Sequence, residues 1–282
     1  MIFSPKTSHE PDVRPIDGKG MPVTFPLTAV ASTPTTPAAG FNRWITCPAP
    51  NPSARLRLFC LPFAGGGASV YRGWAQSLPT VELCPIQLPG RENRLGDTPF
   101  TVMGDLAERL ADEILPFTDR PFALFGHSMG ALISFELTRI LRRRGAPVPR
   151  MLFLSAHRAA HLPLRRKPLI GLDDAEFLEA VRLFGGTPRE VFEHKELVDI
   201  ILPALRADLA LCDGYRHEPG EPLGCPLVLY AGRQDAEVSP TEVEAWGEHT
   251  TEGARLRIFP GDHFFLRSNR DLLLRAMASA LA

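Results

Sequence analysis

From residue 55 onward, short unbroken apolar runs alternate with stretches in which apolar residues recur every three or four positions. The run "RLRLFCLPF", starting at Arg55, predicts a strand buried on both faces. Beyond Gly65, Gly66 and Gly67, the four-residue spacing of Val70, Trp74 and Leu78 predicts a helix. "VELCPIQLP" predicts a second strand, and Pro85 within it, which has no N–H for the ladder, places that strand near the sheet edge. Val102, Leu106, Leu110 and Ile114 mark an amphipathic helix, and residues 121–126 a further strand. A helix containing Leu132, Ile133, Phe135 and Leu137 runs on to Arg142, Arg143 and Arg144, which suit the negative end of its dipole, and to Gly145, which suits its C-terminal stop. "RMLFLSA" at 150–156 continues the series. Strand alternating with helix predicts an α/β fold with a mostly parallel central sheet covered by helices on both faces.

The alternation breaks at about residue 164. "DDAEFLEAVRLFGG" and "ELVDIILPALRADLALC" are two helical patterns in succession with no strand between them, and they predict a helical lid insertion over about 164–212. The sheet resumes with "CPLVLYAG" at 225–232. It is followed by a helix with a capping box, in which Ser239 is the N-cap, Pro240 stands at N1 and Glu242 at N3. "ARLRIFPG" and a terminal helix from Ser268 complete a domain spanning 41–282. Residues 1–40 are dominated by Pro, Thr, Ser and Gly without a lasting apolar period, and are expected to be a disordered extension.

The strand at 121–126 and the helix after it are joined by Gly126-His127-Ser128-Met129-Gly130. This is a G-x-S-x-G nucleophile elbow in its required context, with glycines allowing a sharp turn that thrusts the serine above the sheet edge. A serine hydroxyl needs a base and a group to orient that base. In the α/β-hydrolase order an acid and then a histidine follow late strands. Asp235 follows the strand ending at Gly232, and His263 follows the strand ending at Phe259. Asp262 and Glu237 are rival acids. Asp262 is disfavoured because adjacent side chains rarely aim at one another, and Glu237 is the weaker candidate on the Asp235 loop. His127, beside Ser128 in the elbow, should point away from the hydroxyl. The oxyanion donors expected are the N–H of Met129, at the helix start, and that of Ala64, in "PFAGGG". That glycine-rich loop lacks the Walker lysine and the G-x-G-x-x-G spacing, so it does not read as a phosphate cradle.

Composition narrows the choice. The chain has 282 residues, is 44% apolar and 22% charged, and carries a formal net charge of -1, which gives no sign of nucleic-acid binding. Cys47, Cys60, Cys84, Cys212 and Cys225 contain no CxxC pair and are expected to be reduced thiols, with neither a disulfide frame nor a zinc site. No apolar run approaches the ~20 residues of a membrane span and no signal-peptide core is evident, so a cytoplasmic protein is expected.

Five segments together, "LFCLPFAGGGASVYRGWAQSLP", "IQLPGRENR", "FGHSMGALISFEL", "AGRQDAEVSP" and "FPGDHFFL", resemble the motifs of type II, or editing, thioesterases of nonribosomal peptide and polyketide synthases. The resemblance runs from about Trp44 to the C-terminus. It implies an α/β-hydrolase that cleaves acyl groups from the phosphopantetheine arm of an acyl or peptidyl carrier protein; a monomer is expected. No cofactor of its own is expected, since the substrate carries the phosphopantetheine. The expected substrate-binding residues are Phe63, Gly65, His127, Arg165 and Arg166. Arg165, Arg166 and Lys167 at the lid entrance, or Arg91 and Arg94 in "GRENR", are candidates to meet an acidic carrier or the pantetheine phosphate. Phe177, Leu183, Phe184 and Leu205 are candidates for the acyl pocket. The rival functions are a product-releasing thioesterase, a general esterase of the same fold, and an inactive hydrolase fold used as a binding module.

Overall fold

A computed structural model describes residues 12–16 and 41–282. In chain order its strands are β1 (Asp12–Ile16), β2 (Leu56–Leu61), β3 (Val81–Pro85), β4 (Phe122–His127), β5 (Leu152–Ser155), β6 (Leu227–Gly232) and β7 (Ala254–Phe259). The helices are α1 (Met103–Ile114), α2 (Met129–Arg143), α3 (Asp174–Phe184), α4 (Arg189–Glu193), α5 (Lys195–Gly214), α6 (Pro240–Glu244), α7 (Phe265–Ser268) and α8 (Arg270–Leu281).

Among the described residues the sheet order is β1-β7-β6-β5-β4-β2-β3. Strands β2 to β7 pair in parallel, and β1 pairs antiparallel to β7. Every described residue of β2, β3, β4, β5 and β6 is buried, as expected of strands covered on both faces. One face packs on α1 and α2 through Leu106, Leu110, Leu132 and Ile133, with Trp246 in the same cluster. The other packs on α8 and the 68–77 segment through Tyr71, Trp74, Leu273 and Met277. β3 is the edge strand that Pro85 implied. Ser239 accepts from the Glu242 N–H, and the Glu242 side chain accepts in return, completing the box read from the sequence.

Three elements differ from the sequence expectation. In place of one helix there are two separate 3₁₀ turns: Val70 lies in the first, Ala68–Tyr71, while Trp74 and Leu78 flank the second, Ala75–Ser77. Gly73 between them has φ +80, which ends any continuous helix, although Trp74 and Leu78 are buried as their spacing suggested. The insertion holds three helices, α3, α4 and α5, because Gly185, in the left-handed conformation, stops α3 and a further short turn precedes α5. Asp12–Ile16, within the segment expected to be disordered, is a strand on β7, while the rest of 1–40 lies outside the described residues. No helix among the described residues is long and apolar enough to cross a membrane.

Candidate active site

At the C-terminal end of β4 the chain turns through Ser128 with φ 53 and ψ −120, a strained conformation for a residue with a side chain. The flanking glycines make the turn possible. A Cβ on Gly126 would lie 2.0 Å from the Gly130 carbonyl oxygen, and one on Gly130 would lie 2.2 Å from that of Leu61. The elbow is thus wedged between β2 and α2 with backbone touching backbone. Gly130→Ala is expected to lose about 3 kcal/mol or more, because neither contacting group is a flexible side chain. A thermal melt checks this, and parental stability would show that the approach has slack.

The elbow, the β6 loop and the β7 loop meet. His263 Nε2 lies 3.0 Å from Ser128 Oγ, and His263 Nδ1 lies 2.8 Å from Asp235 Oδ2. The Asp235 carboxylate is fully buried, and its Oδ1 accepts from the N–H groups of Glu237 at 2.9 Å and Val238 at 3.1 Å. Two backbone donors therefore fix one oxygen and leave the other for the histidine. Of the rival acids, Asp262 is exposed and accepts from the Phe264 N–H, and Glu237 faces Arg166 at 4.0 Å. This arrangement can carry a proton from Ser128 to His263 while Asp235 holds the ring in the required tautomer.

The other expected site residues fall into two groups. Phe63, Ala64, Arg165 and Arg166 line, with Ser128, a cavity of about 310 Å³. Met129 opens α2, and among the described residues no carbonyl accepts from its N–H or from that of Ala64. Gly65 and His127 are not among the lining residues. The Gly65 N–H is given to Asp208 at 2.7 Å, and its missing Cβ leaves room for Leu205. His127 is fully buried, with its Nε2 2.9 Å from the His263 carbonyl and its Nδ1 2.9 Å from the Ser155 hydroxyl. Since a carbonyl only accepts, His127 carries its proton on Nε2 and accepts from Ser155. Burial, reinforced by the neighbouring His263, lowers its pKa well below the usual histidine value. His127 thus supports the His263 backbone and stays neutral, with both ring nitrogens taken up inside the protein.

The basic residues also divide. Arg91 and Arg94 are buried and satisfied within the protein, so neither is available to a carrier. Arg91 grips Asp208, while Arg94 pairs with Asp97, donates to the Gln87 carbonyl and stacks 4.1 Å from the Trp44 ring. Arg166 is held by Asp213 at 2.7 Å, whereas Arg165 is 60% exposed beside Glu242. Of the apolar lid candidates, Phe184 and Leu205 line the cavity. Phe177 is buried inside the lid's own cluster, and Leu183 is 80% exposed.

Sequence reasoning missed His157, Arg158, Leu209 and Val238 on the cavity wall. His157 and Arg158 lie two and three residues past the end of β5, and that strand-end position was the available signal. Burial lowers the His157 pKa to about 3, so it is a neutral wall residue. All five cysteines are free thiols, and no described cluster of His, Cys, Asp or Glu is arranged to hold a metal ion.

A parallel sheet with a serine elbow, a histidine after the last strand, a buried acid before it and a helical insertion above defines an α/β-hydrolase. The chain belongs to the thioesterase domain family, which it matches over residues 56–281. It is 42% identical over 244 residues to linear gramicidin dehydrogenase LgrE of Brevibacillus parabrevis, covering 85% of this chain and 93% of that protein. It is 41% identical over 241 residues to gramicidin S biosynthesis protein GrsT of Aneurinibacillus migulanus, covering 85% and 94%. Among solved structures, RedJ, a thioesterase of the prodiginine pathway in Streptomyces coelicolor, superimposes with a TM-score of 0.76 at 41% identity, covering 87% of this chain and 95% of that one. The LgrE name is that of an oxidoreductase, but the family match makes the present chain a thioester hydrolase. The resemblance to type II thioesterases read from the five motifs stands.

Proposed function

We propose that this enzyme hydrolyses acyl thioesters on the phosphopantetheine arm of acyl or peptidyl carrier proteins, clearing stalled or wrongly loaded synthases in the cytoplasm. The observation that carries the reading is the continuous chain from Asp235 through His263 to Ser128, opening on a cavity under the lid whose wall mixes apolar residues with arginines. The kinship with proteins named for gramicidin S and prodiginine biosynthesis supports the pathway class.

In this mechanism His263 Nε2 takes the Ser128 proton as Oγ attacks the thioester carbonyl carbon. The carbonyl oxygen becomes an oxyanion facing the Met129 and Ala64 N–H groups. Each donor supplies about 3 kcal/mol at that stage. The C–S bond then breaks, the sulfur takes the proton from His263, and the pantetheine thiol leaves with the histidine neutral again. A thiol of pKa near 8.5 departs readily, so protonation by His263 is less critical than for an amine. Water, deprotonated by the same histidine, attacks the acyl-serine; the acid leaves and Ser128 recovers its proton. No cofactor is required. A cavity of about 310 Å³ holds an acyl chain and keeps the carrier itself outside.

The test is intact-protein mass spectrometry of an acyl-loaded carrier incubated with the enzyme or with Ser128→Ala, beside a matched small thioester. Ser128-dependent loss of acyl mass, faster from the carrier than from the small thioester, is expected. Equal rates would favour a general thioesterase or esterase, and inactivity on both a binding module. Because Arg165 is exposed at the cavity mouth, Arg165→Glu should raise KM for the carrier several-fold through lost charge complementarity and leave the small thioester unaffected. Equal effects on both substrates would remove the docking role.

A further inference from the structure

One buried ion pair joins the lid to the turn that carries Ala64, and the mechanism above leaves it without a role. Asp208 lies on α5 and is 1% exposed; Arg91, in the loop after β3, is 7% exposed. The pair is bidentate. Arg91 Nη2 donates to Asp208 Oδ1 at 2.8 Å, and Nη1 donates to Oδ2 at 2.6 Å. The same Oδ2 accepts the Gly65 N–H at 2.7 Å. Arg91 grips this loop a second time, with Nη1 donating to the Gly66 carbonyl at 3.1 Å, and it anchors itself through Nε on the Pro89 carbonyl at 3.1 Å.

Burying two charges is costly, and an apolar pair of similar size would hold a lid helix equally well. What an apolar pair lacks is an acceptor for the Gly65 N–H. Residues 63–66 form a tight turn, closed by the Gly66 N–H on the Phe63 carbonyl at 2.9 Å, with Gly65 at φ +78. A positive φ at the third position is the type II turn, which differs from type I by a flip of its central peptide. Here that peptide joins Ala64 to Gly65, so an acceptor for its N–H selects one of the two orientations. The neighbouring peptide carries the Ala64 N–H. Leu205, also on α5, packs against Gly65 so closely that a Cβ there would sit 2.9 Å from Leu205 Cδ1. The lid helix thus grips the turn by one polar and one apolar contact.

We propose that Asp208, oriented and neutralised by Arg91, is a positioning residue that sets the oxyanion turn and makes the Ala64 donor depend on the seating of the lid helix. The inference rests on the acyl-serine reading. It gives the lid a part in the chemistry beyond covering the cavity: when α5 is docked the donor is aimed, and when α5 lifts, Asp208 withdraws from the turn.

The test compares the parent enzyme with Asp208→Asn and with the charge-free double variant Arg91→Met/Asp208→Leu, which leaves no buried unpaired charge. The readouts are melting temperature, kcat and KM on a small thioester, and the rate at which an alkyl fluorophosphonate labels Ser128. In that labelling Oγ bonds to phosphorus, fluoride leaves, the proton passes to His263, and the phosphoryl oxygen passes through the oxyanion position. The double variant is expected to stay folded and keep its KM, melting modestly below the parent because the Gly65 N–H and the Gly66 and Pro89 carbonyls lose their side-chain partners. Its kcat and labelling rate per folded molecule should both fall about 10- to 100-fold. A smaller fall in both is expected for Asp208→Asn, whose amide oxygen still accepts. Parental kcat and labelling in a folded double variant would overturn the inference alone. So would a fall in kcat fully explained by fewer labelled molecules. A parent enzyme not labelled at Ser128 would overturn the acyl-serine reading and the inference with it.

Discussion

Ser128→Ala lowers kcat by roughly 10⁵- to 10⁶-fold on any thioester and leaves the fold in place. The first half of this expectation follows from the position of the hydroxyl: Oγ is the atom 3.0 Å from His263 Nε2, and alanine offers no nucleophile there. The second half follows from the backbone. The elbow is held by the Ser128 N–H on the Ser155 carbonyl at 2.7 Å and by the Gly126–Gly130 approach, neither of which uses the side chain. Alanine and serine meet the same steric cost at φ 53. Initial rates on a small thioester and a melting curve check the two halves separately. Residual turnover above about one part in 10³ would place the nucleophile elsewhere.

The parts of the site legible in the sequence were those encoded by local pattern and chain order. Gly126, Ser128 and Gly130 sit between an apolar run and a helical period, and that context fixes a strand-to-helix elbow wherever it occurs. Asp235 and His263 were found because each lies a few residues past a buried strand. In a parallel sheet, strand ends share one edge, so position along the chain translates into proximity. Pro85 marked the edge strand through a missing N–H, a property carried by one residue.

What stayed hidden depends on partners far away in sequence. Arg91 and Arg94 lie in a short polar loop and read as candidates to meet an acidic carrier or the pantetheine phosphate. Their burial is decided by Asp208, more than a hundred residues later on the lid, and by Trp44, long before them. His127 was expected to point away from the Ser128 hydroxyl, and does; what its position beside Ser128 did not show is where its nitrogens go. The elbow sends it to the opposite side, where Ser155 and the His263 carbonyl satisfy both its nitrogens. Phe177 and Leu183 have the apolar character of pocket residues, but which face of α3 packs into the lid's own cluster is set by docking, and that left one inside the lid and the other in solvent. The 70–78 stretch had a genuine apolar period, and a single glycine at φ +80 converted it into two short turns that bury the same side chains.

Asp235→Asn is expected to cost about 10⁴-fold in kcat near neutral pH, without loss of fold. The reason lies in which oxygen is free. The Glu237 and Val238 N–H groups both donate to Oδ1, so an asparagine placed there must keep its carbonyl oxygen at that position and turn its NH₂ toward His263. An NH₂ group facing Nδ1 requires Nδ1 to accept, which moves the ring proton to Nε2. A protonated Nε2 donates to Ser128 Oγ and has no lone pair to receive its proton, so the base is lost although every heavy atom stays in place. The same reasoning separates this variant from Asp235→Ala, which leaves the two backbone donors buried and unsatisfied and should lower the melting temperature as well. Kinetics of both variants on a small thioester, with melting curves alongside, check the argument. Asp235→Asn retaining a tenth or more of parental kcat would mean that the ring is oriented by its other contacts and that Asp235 is not the acid on which the reaction depends.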